Sequence, residues 1–466
     1  ILFSWKEVLN LIKKNKKKLT INSFITRNEG SQMKKSQKLW KRAKQIIPGG
    51  NMFLSKRPEL YHPRDWPKYY KKAKGCTVWD LEGKKFTDLS LMGVGCNILG
   101  YSHTEVDNAV IKAIKNSNNS TLNCYEDVQL CEKILDLHSW ADSAKLARTG
   151  GEASAIAVRI ARAASGKSKI AFCGYHGWHD WYLSANIENR DGLKNHLMGG
   201  LDAKGVPKSL KNTSFPFTYN NFDELREITE RHDIGAVKME VSRNFLPEDD
   251  FLIKVRNLCN KKNIILIFDE CTSGFRQTNG GLHKLYKVNP DMAWFGKSLG
   301  NGFSISAIIG KKEIMEHAQD SFMSSTFWSE RSGPAAAIKT LEVMDREKSW
   351  ITITELGKYM QLCWKQLADA HALPISISGI PALTSFAFKS PNNLFYKTLI
   401  TQEMLKKAYL ASNIFYPSIA HSTDLIDRYI LDLQPVFELI SRCEDGDTVD
   451  DLLEGPVCHS TFSRLN

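Results

Sequence analysis

The stretch IILIFDECTSGFRQTNGGLHKLYKVNPDMAWFGKSLGNG, residues 264–302, decides the fold of this chain. It begins with five consecutive apolar residues, which predict a strand buried on both faces of a parallel sheet. Asp269 follows this strand directly, and a second apolar run, MAWF at 292–295, leads into Lys297. In open α/β sheets, ligands bind at the carboxyl ends of the strands, so both side chains are placed for chemistry.

An acid at one strand end and a lysine at another indicate pyridoxal phosphate as the cofactor. Asp269 would stabilise a protonated ring nitrogen by Coulombic pairing, and Lys297 would form a Schiff base and then move a proton. Each residue alone has an ordinary interpretation: Asp269 can cap the next turn, and Lys297 can be a surface lysine in a glycine loop. The occurrence of both in one stretch favours the cofactor.

Two further stretches are suited to the rest of such a cofactor. Gly150 and Gly151 precede a helix predicted to begin at Glu152, and glycines at a helix N-terminus make a cradle for phosphate. Tyr175 follows a predicted strand, where an aromatic ring can stack on a flat ligand. The alternatives are a common Gly-Gly turn and a packed aromatic loop.

Composition excludes several other classes of function. The 466 residues are 42% hydrophobic and 24% charged, as in soluble proteins, and no apolar run approaches the roughly 20 residues that span a bilayer. The net charge of +12 comes without a zinc-finger or RNP motif, so no nucleic-acid partner is expected. His176 and His179 lack the i, i+4 spacing of a helical zinc pair, and no metal is expected. Ten cysteines without a CxxC pair indicate reduced thiols and a cytoplasmic location.

The chain divides into four predicted segments. Residues 1–32 contain a lysine-rich run and are expected to be a non-native or disordered extension, with a membrane-touching amphipathic helix as the alternative. Residues 33–100 carry a helix and a hairpin and are expected to contribute to a small domain. Strands alternate with helices within residues 101–348, which predicts a large doubly wound α/β domain. Residues 349–466 are predicted as a small α+β domain, with one helix over 395–411.

From about residue 36 to residue 466 the chain resembles the class-III, fold-type-I pyridoxal-phosphate aminotransferases, nearest to the glutamate-1-semialdehyde 2,1-aminomutase branch. Singly some of its motifs are weak, but their order along the chain is specific. They are PGG at 48–50, VWDLEGKKFTDL at 78–89, TGGEA at 149–153, YHGWHD at 175–180, IFDECTSGFR at 267–276 and PDMAWFGKSLGNGFSISAIIG at 290–310.

This resemblance implies a mostly parallel seven-stranded sheet and a small domain built from both ends of the chain. It also implies a homodimer with the active sites at the interface. It implies that Lys297 forms the Schiff base and that Asp269 contacts the pyridine nitrogen. Gly150 and Gly151 would bind the phosphate, and Tyr175 would stack on the ring. Glu240 would lie near the ring, and Thr326 would bind the phosphate of the neighbouring subunit's cofactor.

Departures from the family pattern concern the phosphate and the substrate. The chain has TGGEA where the family usually has SGTEA, so Gly151 lacks the threonine hydroxyl. The stretch ISISGIPALTSFAF lacks the arginine that binds substrate carboxylate in many relatives. In the aminomutase branch an arginine follows PGG, and Lys56 or Arg57 is expected to serve here.

The function expected from this resemblance is transamination between an amine or amino acid and an oxo acceptor. The principal alternative is a glutamate-1-semialdehyde aminomutase, in which amino transfer is intramolecular. A catalytically inactive binding homologue and a racemase or decarboxylase on the same scaffold are further alternatives. Substrate identity does not follow from the sequence.

Overall fold

The computed structural model describes the chain over 34–188, 192–194, 196, 202–242 and 244–460. The predicted extension at 1–32 lies outside these residues. In chain order the strands are β1 (Tyr70–Lys74), β2 (Thr77–Asp80), β3 (Lys85–Asp88), β4 (Ser143–Ala147), β5 (Lys169–Cys173), β6 (Ser214–Pro216), β7 (Ile234–Glu240), β8 (Ile265–Asp269), β9 (Met292–Phe295), β10 (Ser306–Gly310), β11 (Ile375–Ser378), β12 (Thr384–Phe388), β13 (Tyr409–Leu410) and β14 (Ile414–Phe415).

The longer helices frame these strands. They are α1 (Lys35–Ile46), α2 (Thr104–Lys115), α3 (Tyr125–Asp136), α4 (Gly150–Ser165), α5 (Phe222–Arg231), α6 (Phe251–Lys262), α7 (Ser332–Glu347), α8 (Ser349–Ala370), α9 (Asn393–Lys406) and α10 (Thr423–Glu444). In the described part of the chain, no helix combines the length and the apolar character that a membrane span requires.

Seven strands form the central sheet, in the order β4-β10-β9-β8-β7-β5-β6. The five strands from β9 to β6 run parallel to one another, while β10 is antiparallel to both of its neighbours. The predicted α/β fold with a mostly parallel sheet is confirmed. Because parallel strands end at the same edge, this topology gathers the loops after β5, β7, β8 and β9 together.

The unbroken apolar run in β8 has a simple physical cause. All five of its residues are buried, because one hydrophobic core lies on each face of the sheet. The core on one face contains α4, where Ala153, Ala157 and Ala161 are fully buried. Such small side chains let the helix pack closely on the strands, and so they bring its N-terminus to the strand ends.

Two smaller sheets join distant parts of the chain. The order β1-β2-β3-β13 pairs the predicted N-terminal hairpin with a C-terminal strand, and β11-β12-β14 forms the other sheet. The single helix predicted over 395–411 is wrong beyond Lys406. Ala408 has a φ of 63°, which ends helical geometry, and its carbonyl oxygen accepts a hydrogen bond of 2.9 Å from the Thr87 N–H. The four-segment domain division stays a prediction.

Candidate active site

Three polar residues lie at the carboxyl edge of the central sheet. Glu240, the last residue of β7, is the register partner of Asp269, the last residue of β8. Asp269 in turn pairs with Trp294 of β9, three residues before Lys297. Asp269 and Glu240 are buried, whereas Lys297 is partly accessible. The structure therefore brings together the acid and the lysine that the sequence singled out.

The Asp269 carboxylate is held by three groups. Its Oδ1 accepts a hydrogen bond of 3.1 Å from the Cys271 N–H. Its Oδ2 lies 2.7 Å from Nδ1 of His176 and 2.9 Å from Nζ of Lys238. Burial alone would raise the pKa of Asp269, but the charge of Lys238 and the hydrogen bond with His176 lower this pKa to about 2. At neutral pH Asp269 is therefore a buried anion.

Lys297 is oriented by its backbone and by a hydroxyl group. Its φ of 37° lies in the left-handed region, which a lysine adopts only when its surroundings impose it. Its Nζ donates a hydrogen bond of 2.6 Å to Oγ1 of Thr272, a buried residue in the turn after β8. The amine is thus fixed by a neighbour that comes from the same strand end as Asp269.

The helix α4 begins two residues earlier than predicted, so that Gly150 and Gly151 form its first turn. The reason is a capping box: the Thr149 side chain accepts from the Glu152 N–H, and Oε2 of Glu152 accepts from the Thr149 N–H at 2.8 Å. N–H groups of a first helical turn lack intrahelical partners, and they make a binding site for an anionic group.

Packing also disfavours a side chain at both positions of this turn. A Cβ atom on Gly150 would lie 3.1 Å from the Trp294 ring. A Cβ atom on Gly151 would lie 2.8 Å from Cε1 and 2.9 Å from Nδ1 of His179. The His179 ring therefore occupies the volume where the family's threonine side chain would begin.

The exchange Gly151→Thr is expected to weaken cofactor binding about 10-fold, because the new side chain must displace His179 from the phosphate end of the site. The double variant Gly151→Thr/His179→Ala provides the missing space and should recover most of the affinity. Dissociation constants for pyridoxal phosphate, measured by fluorescence quenching, test this expectation, with His179→Ala alone as the control. Equal loss in the single and double variants would contradict it.

The loop after β5 carries Tyr175 and is tied to β7. The Tyr175 N–H donates a hydrogen bond of 3.0 Å to Oε2 of Glu240. Gly174 has a φ of 113°, and a Cβ atom there would lie 2.5 Å from the same carboxylate oxygen. The Tyr175 ring is 37% exposed and makes an edge contact with Tyr182. Glu240 thus holds the loop that presents the exposed face of Tyr175.

A cavity of about 800 Å³ lies between the N-terminal segment and the loop after β9. Lys56 and Cys96 line it, while Arg57 lies against Gly49 instead. Burial raises the pKa of the Cys96 thiol, and the positive charges of Lys297 and Lys56 oppose this rise. Of the two predicted substrate cations, the structure places Lys56 in the wall of this cavity, while Lys297 is not among the described residues that line it.

Thr326 is not brought to the cluster of Asp269 and Lys297. It is exposed at the start of the turn Thr326–Ser329, which Trp328 anchors by donating a hydrogen bond of 3.3 Å to Oε1 of Glu152. Its predicted role at a neighbouring subunit's cofactor stays a prediction.

Sequence reasoning missed Lys238 and Thr272, and it considered His176 only as a possible metal ligand. Lys238 interrupts the apolar strand GAVKME, and a charge in a strand buried on both faces needs a partner, which was a usable signal. Nothing in the sequence marked Thr272, because a threonine in a turn is ordinary.

The arrangement suits pyridoxal phosphate. The first turn of α4 can bind a phosphate, the buried Asp269 anion can face a ring nitrogen, and the partly accessible Lys297 can reach an aldehyde. Among the residues that the structure describes, no group of three or more His, Cys, Asp or Glu side chains is arranged to hold a metal ion.

Comparison with known proteins agrees with this geometry. The family profile described as aminotransferase class-III matches residues 61–411. The chain belongs to the class-III aminotransferases. It is an enzyme of this family, whose cofactor is pyridoxal phosphate.

Two relatives of this class-III aminotransferase are named for different activities. The 3-aminobutyryl-CoA aminotransferase of Cloacimonas acidaminovorans is 33% identical over 388 residues, which cover 80% of this chain and 88% of the relative. The glutamate-1-semialdehyde 2,1-aminomutase of Methanothrix thermoacetophila is 31% identical over 414 residues, which cover 85% and 94%. Both alignments extend over most of the class-III aminotransferase described above.

Solved structures of other proteins share the fold of this class-III aminotransferase. The PLP internal aldimine form of the FumI protein of Sphingopyxis sp. MTA144 matches with a TM-score of 0.79 at 23% identity, covering 90% of this chain and 99% of that protein. An omega-transaminase from Sphaerobacter thermophilus matches with a TM-score of 0.76 at 19% identity, covering 89% and 99%. At these identities the likeness concerns the fold alone.

Proposed function

We propose that this class-III aminotransferase moves an amino group between two separate molecules, an amine donor and an oxo acceptor, at the carboxyl edge of β7, β8 and β9. The observation that carries the proposal is the placement of Lys297 and the buried Asp269 anion at adjacent strand ends. When bound, pyridoxal phosphate supplies a ring that withdraws electrons from the reacting carbon atom of the substrate.

The residues of the chain have complementary tasks in this proposal. The Nζ atom of Lys297 would hold the cofactor and would move the proton at the reacting carbon atom. The Thr272 hydroxyl, 2.6 Å from that Nζ, fixes the direction in which the amine points. Asp269 balances positive charge on the ring nitrogen, and the first turn of α4 binds the phosphate. Tyr175 would contact the ring.

Lys56 is proposed to bind an anionic group of the substrate. It lines the cavity of about 800 Å³, which also includes apolar and aromatic walls from Phe53, Trp66 and Tyr101. A cation on such a wall suits a substrate with an acidic group attached to a less polar body. The relative named for 3-aminobutyryl-CoA supports transfer between two molecules.

An aminomutase reaction is the second candidate, because several relatives carry that name. The two functions differ in their need for a co-substrate. A screen of amine donors, each with and without an oxo acceptor, would follow loss of the cofactor's visible absorbance and formation of the new amine. We expect turnover only when a donor and an acceptor are both present. Conversion of glutamate-1-semialdehyde alone, without a donor, would contradict the proposal and favour the aminomutase.

The proposal also includes a homodimer and a cytoplasmic location. Thr326 lies between Phe322 and Phe327, whose side chains are 86% and 68% exposed. Exposed aromatic side chains beside a site are typical of surfaces that another subunit covers, which supports Thr326 as a contribution to the neighbouring site. All ten cysteines are free thiols, in keeping with a reducing compartment.

A further inference from the structure

Lys238 is a lysine with no exposed surface in the middle of β7. Its Nζ lies between two indole rings, 5.5 Å from the ring centres of Trp181 and of Trp294. Lysine is almost never fully buried unless it is paired, because removing an ammonium group from water is costly. A lysine in this position therefore needs partners that stabilise its charge.

The partners of Lys238 belong to the active site. Its Nζ is 2.9 Å from Oδ2 of Asp269 and 2.8 Å from Nδ1 of His176. The Glu240 carboxylate and the Cys271 thiol also lie within range of its charge. Burial lowers the pKa of Lys238, while the charges of Asp269 and Glu240 raise it. The ammonium group is thus held by the same carboxylate that the proposed function assigns to the ring nitrogen.

His176 is the second side chain that contacts the Asp269 carboxylate. Nε2 of His176 lies 3.0 Å from the carbonyl oxygen of Cys173, so this nitrogen carries a proton and donates it. Oδ2 of Asp269 has two nitrogen neighbours, Nδ1 of His176 at 2.7 Å and Nζ of Lys238 at 2.9 Å, and these two nitrogen atoms are 2.8 Å apart. With the Cys271 N–H on Oδ1, both carboxylate oxygens already accept hydrogen bonds from the protein.

We propose that Lys238 is a positioning residue that shares the Asp269 carboxylate with the ring nitrogen of pyridoxal phosphate and lowers the proton affinity of that nitrogen. A proton on the nitrogen is stabilised by the negative charge of Asp269. The Lys238 ammonium, bound to the same carboxylate, offsets part of that charge and opposes a second cation beside it. The inference rests on the proposed function, since it needs pyridoxal phosphate in this site.

The test uses the full chain loaded with pyridoxal phosphate labelled with ¹⁵N in the ring. The ¹⁵N chemical shift, followed against pH, reports protonation of the nitrogen without any turnover. Lys238→Met is expected to raise the midpoint of this titration by about 1 pH unit or more, because an opposing charge is removed. Lys145→Met is the matched control, since Lys145 also lies over an indole ring, 5.5 Å from the centre of Trp328, on the distant strand β4. It should leave the midpoint unchanged.

The outcomes distinguish a positioning role of Lys238 from a purely structural role. A folded Lys238→Met protein with an unchanged midpoint would overturn the proposal and leave Lys238 a structural residue. Lys238→Leu provides a second apolar replacement, with circular dichroism as the folding control. The wild-type protein gives a reading of its own: its ring nitrogen should lose its proton within the pH range in which the protein stays folded. A nitrogen protonated throughout that range would overturn the proposal, whereas failure of the wild type to bind pyridoxal phosphate would overturn the proposed function itself.

Discussion

Replacement of Lys297 by alanine is expected to remove the covalent link to pyridoxal phosphate and to lower kcat for amino transfer by at least about 1,000-fold. Two tasks are lost together, because the same Nζ atom holds the cofactor and carries the proton. Thr272, which accepts the hydrogen bond from this atom, has no basicity with which to substitute. Borohydride reduction followed by mass spectrometry measures the link directly, as an added cofactor mass on the wild type that Lys297→Ala lacks.

Two controls separate this effect from misfolding. Lys238→Met removes the other lysine of the site and should still acquire the cofactor mass on Lys297 after reduction. Added ethylamine should restore part of the proton transfer in Lys297→Ala, because a small amine can enter the space that the side chain leaves. A reduced Lys297→Ala protein with the cofactor on another lysine would show that Lys297 has been assigned wrongly.

Asp269→Asn is expected to lower both stability and activity. The amide removes the anion that neutralises the buried Lys238 ammonium, and an uncompensated buried charge costs about 3–5 kcal/mol. Loss of the charge facing the ring nitrogen should lower kcat by at least about 100-fold, as for other single electrostatic contacts in active sites. Urea denaturation without cofactor measures the first effect, and steady-state kinetics measure the second.

The double variant Asp269→Asn/Lys238→Met separates these two effects. Without the ammonium group the amide no longer leaves a charge unpaired, so most of the lost free energy of unfolding should return. Activity should stay low, because the carboxylate is still missing. Stability losses that simply add in the double variant would show that the two side chains are not coupled.

Local sequence patterns were sufficient for much of the sheet. The unbroken apolar run before Asp269 predicted β8, because a strand buried on both faces needs no polar alternation. The strand end then placed Asp269 at the edge where ligands bind. The alternation of strands and helices predicted the α/β class, although the antiparallel direction of β10 needed the structure.

Those local patterns could not predict contacts between residues that are far apart in the sequence. His176 and Asp269 are 93 positions apart, and the loop after β5 meets the end of β8 only in the folded sheet. The choice between Lys56 and Arg57 depends on the direction of each side chain in a short helical turn, which no periodicity reveals. The start of α4 was missed because two glycines suggested a turn, whereas the Thr149 and Glu152 capping box extends the helix through them.

The pairing of β3 with β13 has a consequence for synthesis of the protein on the ribosome. Thr87 and Tyr409 are register partners, so the edge of β3 stays unpaired until more than two thirds of the described chain has followed it out of the exit tunnel. Phe86 and Leu410, on these two strands, both line the cavity whose wall contains Lys56. A nascent chain can therefore build the parallel sheet and its strand ends first, while the wall of this cavity is completed among the last steps. Until then, β3 has an unpaired edge, and its length of four residues and its exposed Lys85 limit pairing with other nascent chains.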